Sequence, residues 1–465
     1  MKPKICTILI LASILFAVPF SCLHPQFIKV RDNHFILNEK PYYFVGTNLW
    51  YGFYLGAPEP KGNRERLVRE LDRLKAMGID NLRILGGSEK SDIKNSIKPS
   101  IQLSPGVYDS TLLEGLDYFL SEMKKRDMHA VVILNNYWEW SGGMAQYHSW
   151  NGGGKVPDPE EDGYEDFMDY SAAFYRNEDA NRSFMNFIKY LINRKNRFTG
   201  LRYFEEPAIM AWELANEPRP GGSTRNAGYY YKWIDTTAQY IHSIDQNHLV
   251  TTGSEGTMGT MNSEDIYLRA HQSRNIDYVT FHVWAKNSNW FNARRYKETY
   301  RHALRKAEEY IQDHIELARR LNKPVVMEEF GLPRDLELYR PGSATASRDK
   351  YFAMLLDLVY QSARAGSPIA GSNFWGWGGE GRSTNSDFTW RQGDPFVCDP
   401  PMEAQGLNSV YDTDSSTIKV LMEKALLMKS LRENGTMEEE NTSLENDTLP
   451  QNIQDPTQHK PRIRY

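Results

Sequence analysis

Two short segments carry the residue types from which an active site is most readily built. They are Trp212-Glu213-Leu214-Ala215-Asn216-Glu217-Pro218 and Pro324-Val325-Val326-Met327-Glu328-Glu329-Phe330-Gly331. Each is an apolar run of strand character that stops abruptly at carboxylates and then at a Pro or Gly. A glutamate at the end of a buried strand is costly to desolvate unless it is paired or used. One such residue is more often half of a structural ion pair. Two in matched settings suggest a pair in which one carboxyl delivers a proton and the other attacks. Cleavage of glycosidic bonds is the chemistry that most often needs that pair.

The elements that must position these groups alternate along the chain. Apolar, β-branched runs fall near 42–48, 80–85, 130–135, 208–216, 249–254, 278–284, 324–330 and 369–376. Helical patterns cover 64–77, 111–126, 181–193, 229–243, 296–321, 347–365 and 416–428. Eight strands with interleaved helices predict an α/β fold, a single (β/α)8 TIM barrel with long βα loops. The two carboxylates then fall at the C-terminal ends of strands four and seven, the face where such barrels keep their active sites. Segments 141–176 and 376–414 are long for βα loops and should wall a cleft. Strand alternation allows only one of Glu328 and Glu329 to face that cleft. Glu213, deeper along its strand, is expected to pair with a buried cation.

Asn-Glu-Pro after one apolar strand and Glu-Phe-Gly after another resemble the acid/base and nucleophile motifs of glycoside hydrolase family 5. The resemblance runs from about residue 35 to about residue 427. Gly46-Thr47-Asn48, Asn135-Asn136 followed by Trp138 and Gly142-Gly143, and the string 212–218 are similar to the mannanase-rich subfamily. The resemblance implies Glu217 as acid/base and Glu329 as nucleophile of a retaining, two-step mechanism. It implies that Arg83 holds the nucleophile ionised, that Asn216 donates to the sugar 2-hydroxyl, and that His282 at the end of strand six belongs to the site. Many relatives carry Tyr two residues after this His, in contact with the nucleophile. Here Trp284 stands instead, so either the strand shifts or another group takes that task. Trp375 resembles the Trp that floors the −1 sugar site, with Trp377 as competitor. Trp50, Asn136 and Trp138 are expected to line further subsites.

The activity so implied is that of an endo-β-1,4-mannanase acting on mannan, glucomannan or galactomannan. A β-1,4-glucanase or an exo-β-mannosidase on the same scaffold is the alternative. A carbohydrate-binding pseudoenzyme is disfavoured because both carboxylates are present. No His, Cys or Asp cluster has metal-ligand spacing, so no metal or cofactor is expected.

Composition bounds the rest. Of 465 residues, 40% are hydrophobic and 25% charged, as in a soluble globular protein. A net charge of −5 gives no reason to expect nucleic acid as a partner. The 11 Trp and 27 Tyr suit stacking on sugar rings, although core packing uses the same residues. Lys2 and Lys4 precede an uncharged run over 5–20 and then Ser21-Cys22. Residues 1–22 therefore read as an export signal, with Cys22 a candidate lipoprotein cysteine that would anchor the protein to a membrane. The product is expected to be secreted, or held at the cell envelope if Cys22 is lipidated. The catalytic barrel is placed at 27–432, followed by a polar, disordered tail over 433–465. Cys398 is the one cysteine certain to remain, which leaves no intrachain disulfide; a monomer is expected.

Overall fold

The computed structural model describes residues 27–433. The segment read as an export signal, with Cys22, and the tail from residue 434 onward lie outside the described residues. Eight strands form the centre: β1 Phe44–Asn48, β2 Asn81–Leu85, β3 His129–Ile133, β4 Ile209–Glu213, β5 Leu249–Thr251, β6 Val279–Trp284, β7 Val325–Gly331 and β8 Ile369–Phe374. All are parallel, in the order β5-β4-β3-β2-β1-β8-β7-β6. The two outer strands meet through a Thr251–Tyr278 bridge, and the Asp277 amide donates to the Val250 carbonyl at 2.8 Å. The sheet is thereby closed. Strands buried on both faces explain why the sequence shows near-continuous apolar runs rather than alternation.

Each strand is followed by a helix: α1 Arg64–Ala76, α2 Ser110–Lys124, α3 Glu178–Ile192, α4 Ala227–Ile244, α5 Glu264–His271, α6 Tyr296–Leu321, α7 Ala346–Arg364 and α8 Ser415–Glu433. Side-chain caps set several starts; Asn63, Asp109 and Asn177 each accept from a first-turn amide of α1, α2 and α3. Seven of these helices coincide with the patterns read in the sequence. The eighth, α5, was not seen, because eight residues give barely two turns of periodicity. Its start is nevertheless marked by Ser263, whose hydroxyl accepts from the Ile266 amide.

A three-stranded antiparallel sheet, Lys29–Arg31, His34–Leu37 and Lys40–Pro41, precedes the barrel. Its buried Phe35 meets Tyr278 edge-on at 5.1 Å, just ahead of β6, so the sheet covers the N-terminal end. The opposite end carries the long loops. The connection from β3 to α3 is not an irregular wall: it folds into helical pieces at Glu139–Ser141, Gly143–His148, Ser149–Gly153, Tyr164–Ala172 and Ala173–Arg176. Cys398 is a buried free thiol. Among the described residues no helix is long and apolar enough to cross a membrane.

Candidate active site

Loops following β3, β4, β5, β6 and β8, with the end of β7, enclose a pocket of about 550 Å³ at the C-terminal face. Glu217 and Glu329 both open into it, with Asn216, His282, Trp138, Trp284 and Trp375. β4 ends at Glu213, and Asn216 continues it through a bridge to Asn136 beyond β3. Glu217 then takes a left-handed φ of 50° before Pro218 turns the chain away. A non-glycine residue held there costs about 1–3 kcal/mol and persists only where its surroundings fix it. Two hydrogen bonds do so. Trp138 Nε1 donates to Glu217 Oε2 at 2.6 Å, and His282 Nδ1 lies 2.7 Å from Oε1.

Glu329 receives a different set. Arg83 Nη1 donates to Oε1, and Trp284 Nε1 donates to Oε2 at 3.0 Å. His282 Nδ1 stands 3.4 Å from the same Oε2, so the imidazole sits between the two carboxyls. One oxygen of each carboxyl and a His282 nitrogen lie within 4.8 Å of one another.

Electrostatics separate the pair. Burial raises the pKa of Glu217, which has no cation in hydrogen-bond contact. Burial also raises Glu329, but there the Arg83 guanidinium opposes it directly. Burial pushes His282 down to about 4, so at neutral pH the imidazole is uncharged and Arg83 is the cation that acts on Glu329. The arrangement favours a protonated Glu217 beside an ionised Glu329, as a proton donor and a nucleophile require.

Arg83 is wholly buried below the pocket floor. Its Nε and Nη2 form a fork to Glu213 at 2.8 and 2.5 Å, Nη2 also donates to Asn216 Oδ1 at 2.8 Å, and Nη1 reaches Asn48 Oδ1 at 3.1 Å. Arg83 thus positions the nucleophile and Asn216 rather than touching substrate. Asn216 Nδ2 donates to Asn136 Oδ1 at 3.1 Å, which fixes the amide and leaves one N–H for the pocket. Asn136 is fully buried and is a support, not a subsite residue: it also donates to Ser141 and accepts from the Trp138 amide. Trp50 must be corrected in the same way. It is fully buried, bonded to the Cys398 carbonyl, and does not line the pocket.

Trp375 faces the pocket and meets Trp284 edge-on at 6.1 Å. Its competitor Trp377 is buried and donates to Glu70 at 2.9 Å. Trp284 answers the question left by the missing Tyr, since its indole N–H supplies the hydrogen bond to the nucleophile. Of Glu328 and Glu329 only Glu329 opens into the pocket, as expected, but a bulge rather than simple alternation sets their directions. Phe281 pairs with Met327 and His282 with Glu329, so Glu328 is an extra residue in a β-bulge and also turns inward toward Arg83.

Several pocket residues escaped the sequence reading. Arg219 stacks over Trp138 at 4.7 Å and pairs with Glu255 at 2.5 Å; both line the pocket. Glu255 follows strand five, but Thr251-Thr252-Gly253-Ser254 precede it, so the apolar run that marked Glu217 and Glu329 is missing there. Trp290, Met402 and Glu403 come from loops whose folding carries no local signature.

A closed parallel barrel presenting two unequal carboxyls among tryptophans defines a barrel glycoside hydrolase. Residues 25–433 match the family model described as GH family 5 β-mannosidase-like, and the chain belongs to that family. Putative mannan endo-1,4-β-mannosidase 4 of Arabidopsis thaliana is 32% identical over 77% of this chain and 84% of its own length. Mannan endo-1,4-β-mannosidase 4 of Solanum lycopersicum is 29% identical over 82% and 92%. Among solved structures, the family 5 mannosidase of Rhizomucor miehei superimposes with a TM-score of 0.81 at 32% identity, covering 88% of this chain and 99% of that one. A variant of it has been solved in complex with mannosyl-fructose. The endo-β-1,4-mannanase of Thermotoga petrophila gives 0.61 at 26% identity, over 84% of this chain and 77% of that one.

The bond from Trp284 to Glu329 is open to test. Trp284→Phe keeps an aromatic ring against Trp375 but removes the N–H. Hydrogen bonds to charged groups contribute about 1.5–3 kcal/mol. Turnover should therefore fall roughly ten- to a hundredfold, with little change in melting temperature. An unchanged kcat would show that the indole N–H does not serve the nucleophile.

Proposed function

We propose that this chain is an exported, retaining hydrolase of β-1,4-mannosidic links, with Glu217 as acid/base and Glu329 as nucleophile. The observation that carries this reading is the pair itself. One oxygen of each carboxyl within 4.8 Å of the other fits the roughly 5–5.5 Å separation of retaining enzymes better than the roughly 6.5–9.5 Å of inverting ones. Glu329 attacks the anomeric carbon while Glu217 protonates the leaving oxygen. Glu217 then takes a proton from water as that water releases the sugar. Asn216, presenting one N–H beside the pair, suits the 2-hydroxyl, the group whose orientation distinguishes mannose from glucose. Relatives named for mannan favour mannan, glucomannan or galactomannan as substrate over a β-glucan.

Exo action is the second reading. Walls from five loops make a pocket rather than an open groove, and the Rhizomucor miehei mannosidase superimposes more closely than the mannanase. Digestion of mannohexaose distinguishes the two. Exo cleavage releases mannose from the first turnovers, whereas endo cleavage gives a ladder of short oligomers. Either way the first-formed sugar should be the β-anomer by NMR. An α-anomer appearing first would rule out the two-step mechanism, and cleavage of cellohexaose in preference would overturn the mannan assignment.

A further inference from the structure

The bulge in β7 puts a third carboxyl behind the nucleophile, and Arg83 has nothing left to give it. Glu328 Oε2 lies 3.8 Å from Arg83 Nε inside the barrel, in a residue only 1% exposed. The five N–H groups of a guanidinium are a fixed number. Here they go to Glu213 twice, and once each to Asn216, Asn48 and Glu329. Neither oxygen of Glu328 makes a hydrogen bond within ordinary geometry among the described residues; the hydroxyl beside it, Thr280 on β6, donates instead to the Ser254 carbonyl at 2.8 Å. The charged and titratable groups that face it are Arg83 on β2, Glu213 on β4, Glu329 on β7, Tyr278 ahead of β6 and Tyr267 on α5. One cation therefore serves three buried carboxyls, of which two are bonded to it. A buried carboxylate with neither hydrogen bond nor counter-charge of its own is far costlier than the acid form.

We propose that Glu328 is a positioning residue that stays a neutral carboxylic acid through the working pH range, and so leaves every Arg83 donor to Glu213, Asn216, Asn48 and the nucleophile. An ionised Glu328 would draw the guanidinium toward itself. The fork on Glu213 would open, and Glu329 would lose the contact that opposes its protonation. The protonation state rests on barrel geometry alone, while its effect on turnover rests on Glu329 being the nucleophile.

Infrared difference spectra of the wild type against Glu328→Gln at neutral pH test the first part. The expected result is loss of one protonated-carboxyl band, with the ionised-carboxylate bands unchanged. Glu328→Met, an apolar residue of similar length, should give the same spectrum and serves if the amide disturbs folding. Thermal stability against pH gives an independent reading. Burial raises the Glu328 pKa well above the ordinary glutamate value of 4.5. The folded state then keeps a proton that the unfolded chain releases, so this group's stabilising contribution is complete at acid pH and is lost as pH rises toward the folded value. Both variants lack it, so their Tm relative to wild type should climb steadily above about pH 5. In kinetics, the ratio of variant to wild-type kcat should stay flat over that interval, where folded wild type keeps the proton, and climb only at the higher pH where the Tm difference levels off and folded Glu328 ionises. Loss of an ionised-carboxylate band instead, or Tm curves that run parallel, would overturn the proposal. A confirmed band and Tm slope with a kcat ratio that stays flat even beyond the pH where the Tm difference levels off would leave the proton assigned but refute its role in positioning the nucleophile.

Discussion

Glu329→Ala is expected to fold normally and to lose turnover by roughly four to six orders of magnitude, the scale on which enzymes lose a nucleophile. Folding should survive because Arg83 does not become an isolated buried charge. Glu213 keeps its fork on Nε and Nη2, and Asn48 and Asn216 keep theirs. Removing the sole partner of a buried ion costs about 3–5 kcal/mol. Here a second carboxylate stays in place, so the loss of stability should be well below that. Turnover collapses for a separate reason: no other group can form the glycosyl-enzyme bond. Glu328, the adjacent carboxyl, is bulged into the barrel and does not line the pocket. Melting temperature and turnover measured on one preparation decide the matter. If Glu329→Ala keeps near-normal activity while Glu328→Ala is dead, the two roles are reversed.

Much of this architecture was legible in the residues because parallel strands buried on both faces write themselves as apolar runs, and all eight were found. The two carboxylates were legible for the same reason, since a charge that closes such a run is conspicuous. What stayed hidden depends on register and on loops. The bulge at Glu328 is one residue of mismatch between β6 and β7, and no local signal announces it. Only Glu329 reaches the cleft, as expected, but Glu328 turns inward toward Arg83 rather than to the opposite side of the strand. Trp50 sits at the end of β1, where pocket residues gather, yet the loop after β8 folds over it and takes its N–H. Its burial is set by residues near 398, which no reading of positions 44–50 could supply. Trp284 is the converse case. It was noticed as a departure from the family pattern, and only the distance to Glu329 Oε2 shows that the indole fills the missing role.

Glu217 has two duties, and a substrate with an activated leaving group separates them. As acid it protonates the departing sugar oxygen, which a poor leaving group such as another mannose requires. Trp138 and His282 hold its two oxygens, and burial raises its pKa, which favours the protonated form, with the Arg219 charge opposing. With an aryl mannoside the leaving group departs without that proton, so Glu329 can still be glycosylated. The second step keeps its need for a base to activate water. Glu217→Ala is thus expected to be nearly inactive on mannan and to show a burst of aryl product, equal to the enzyme present, followed by slow turnover. Azide is an anionic nucleophile that needs no base, and the alanine leaves space beside the anomeric carbon for it. Its addition should restore steady turnover and yield a β-mannosyl azide, whereas any rescue of Glu329→Ala, where azide takes the place of the missing carboxylate, should yield the α-anomer. If Glu217→Ala loses aryl and polymer activity alike, with neither burst nor rescue, Glu217 is structural and the acid/base must be sought elsewhere in the pocket.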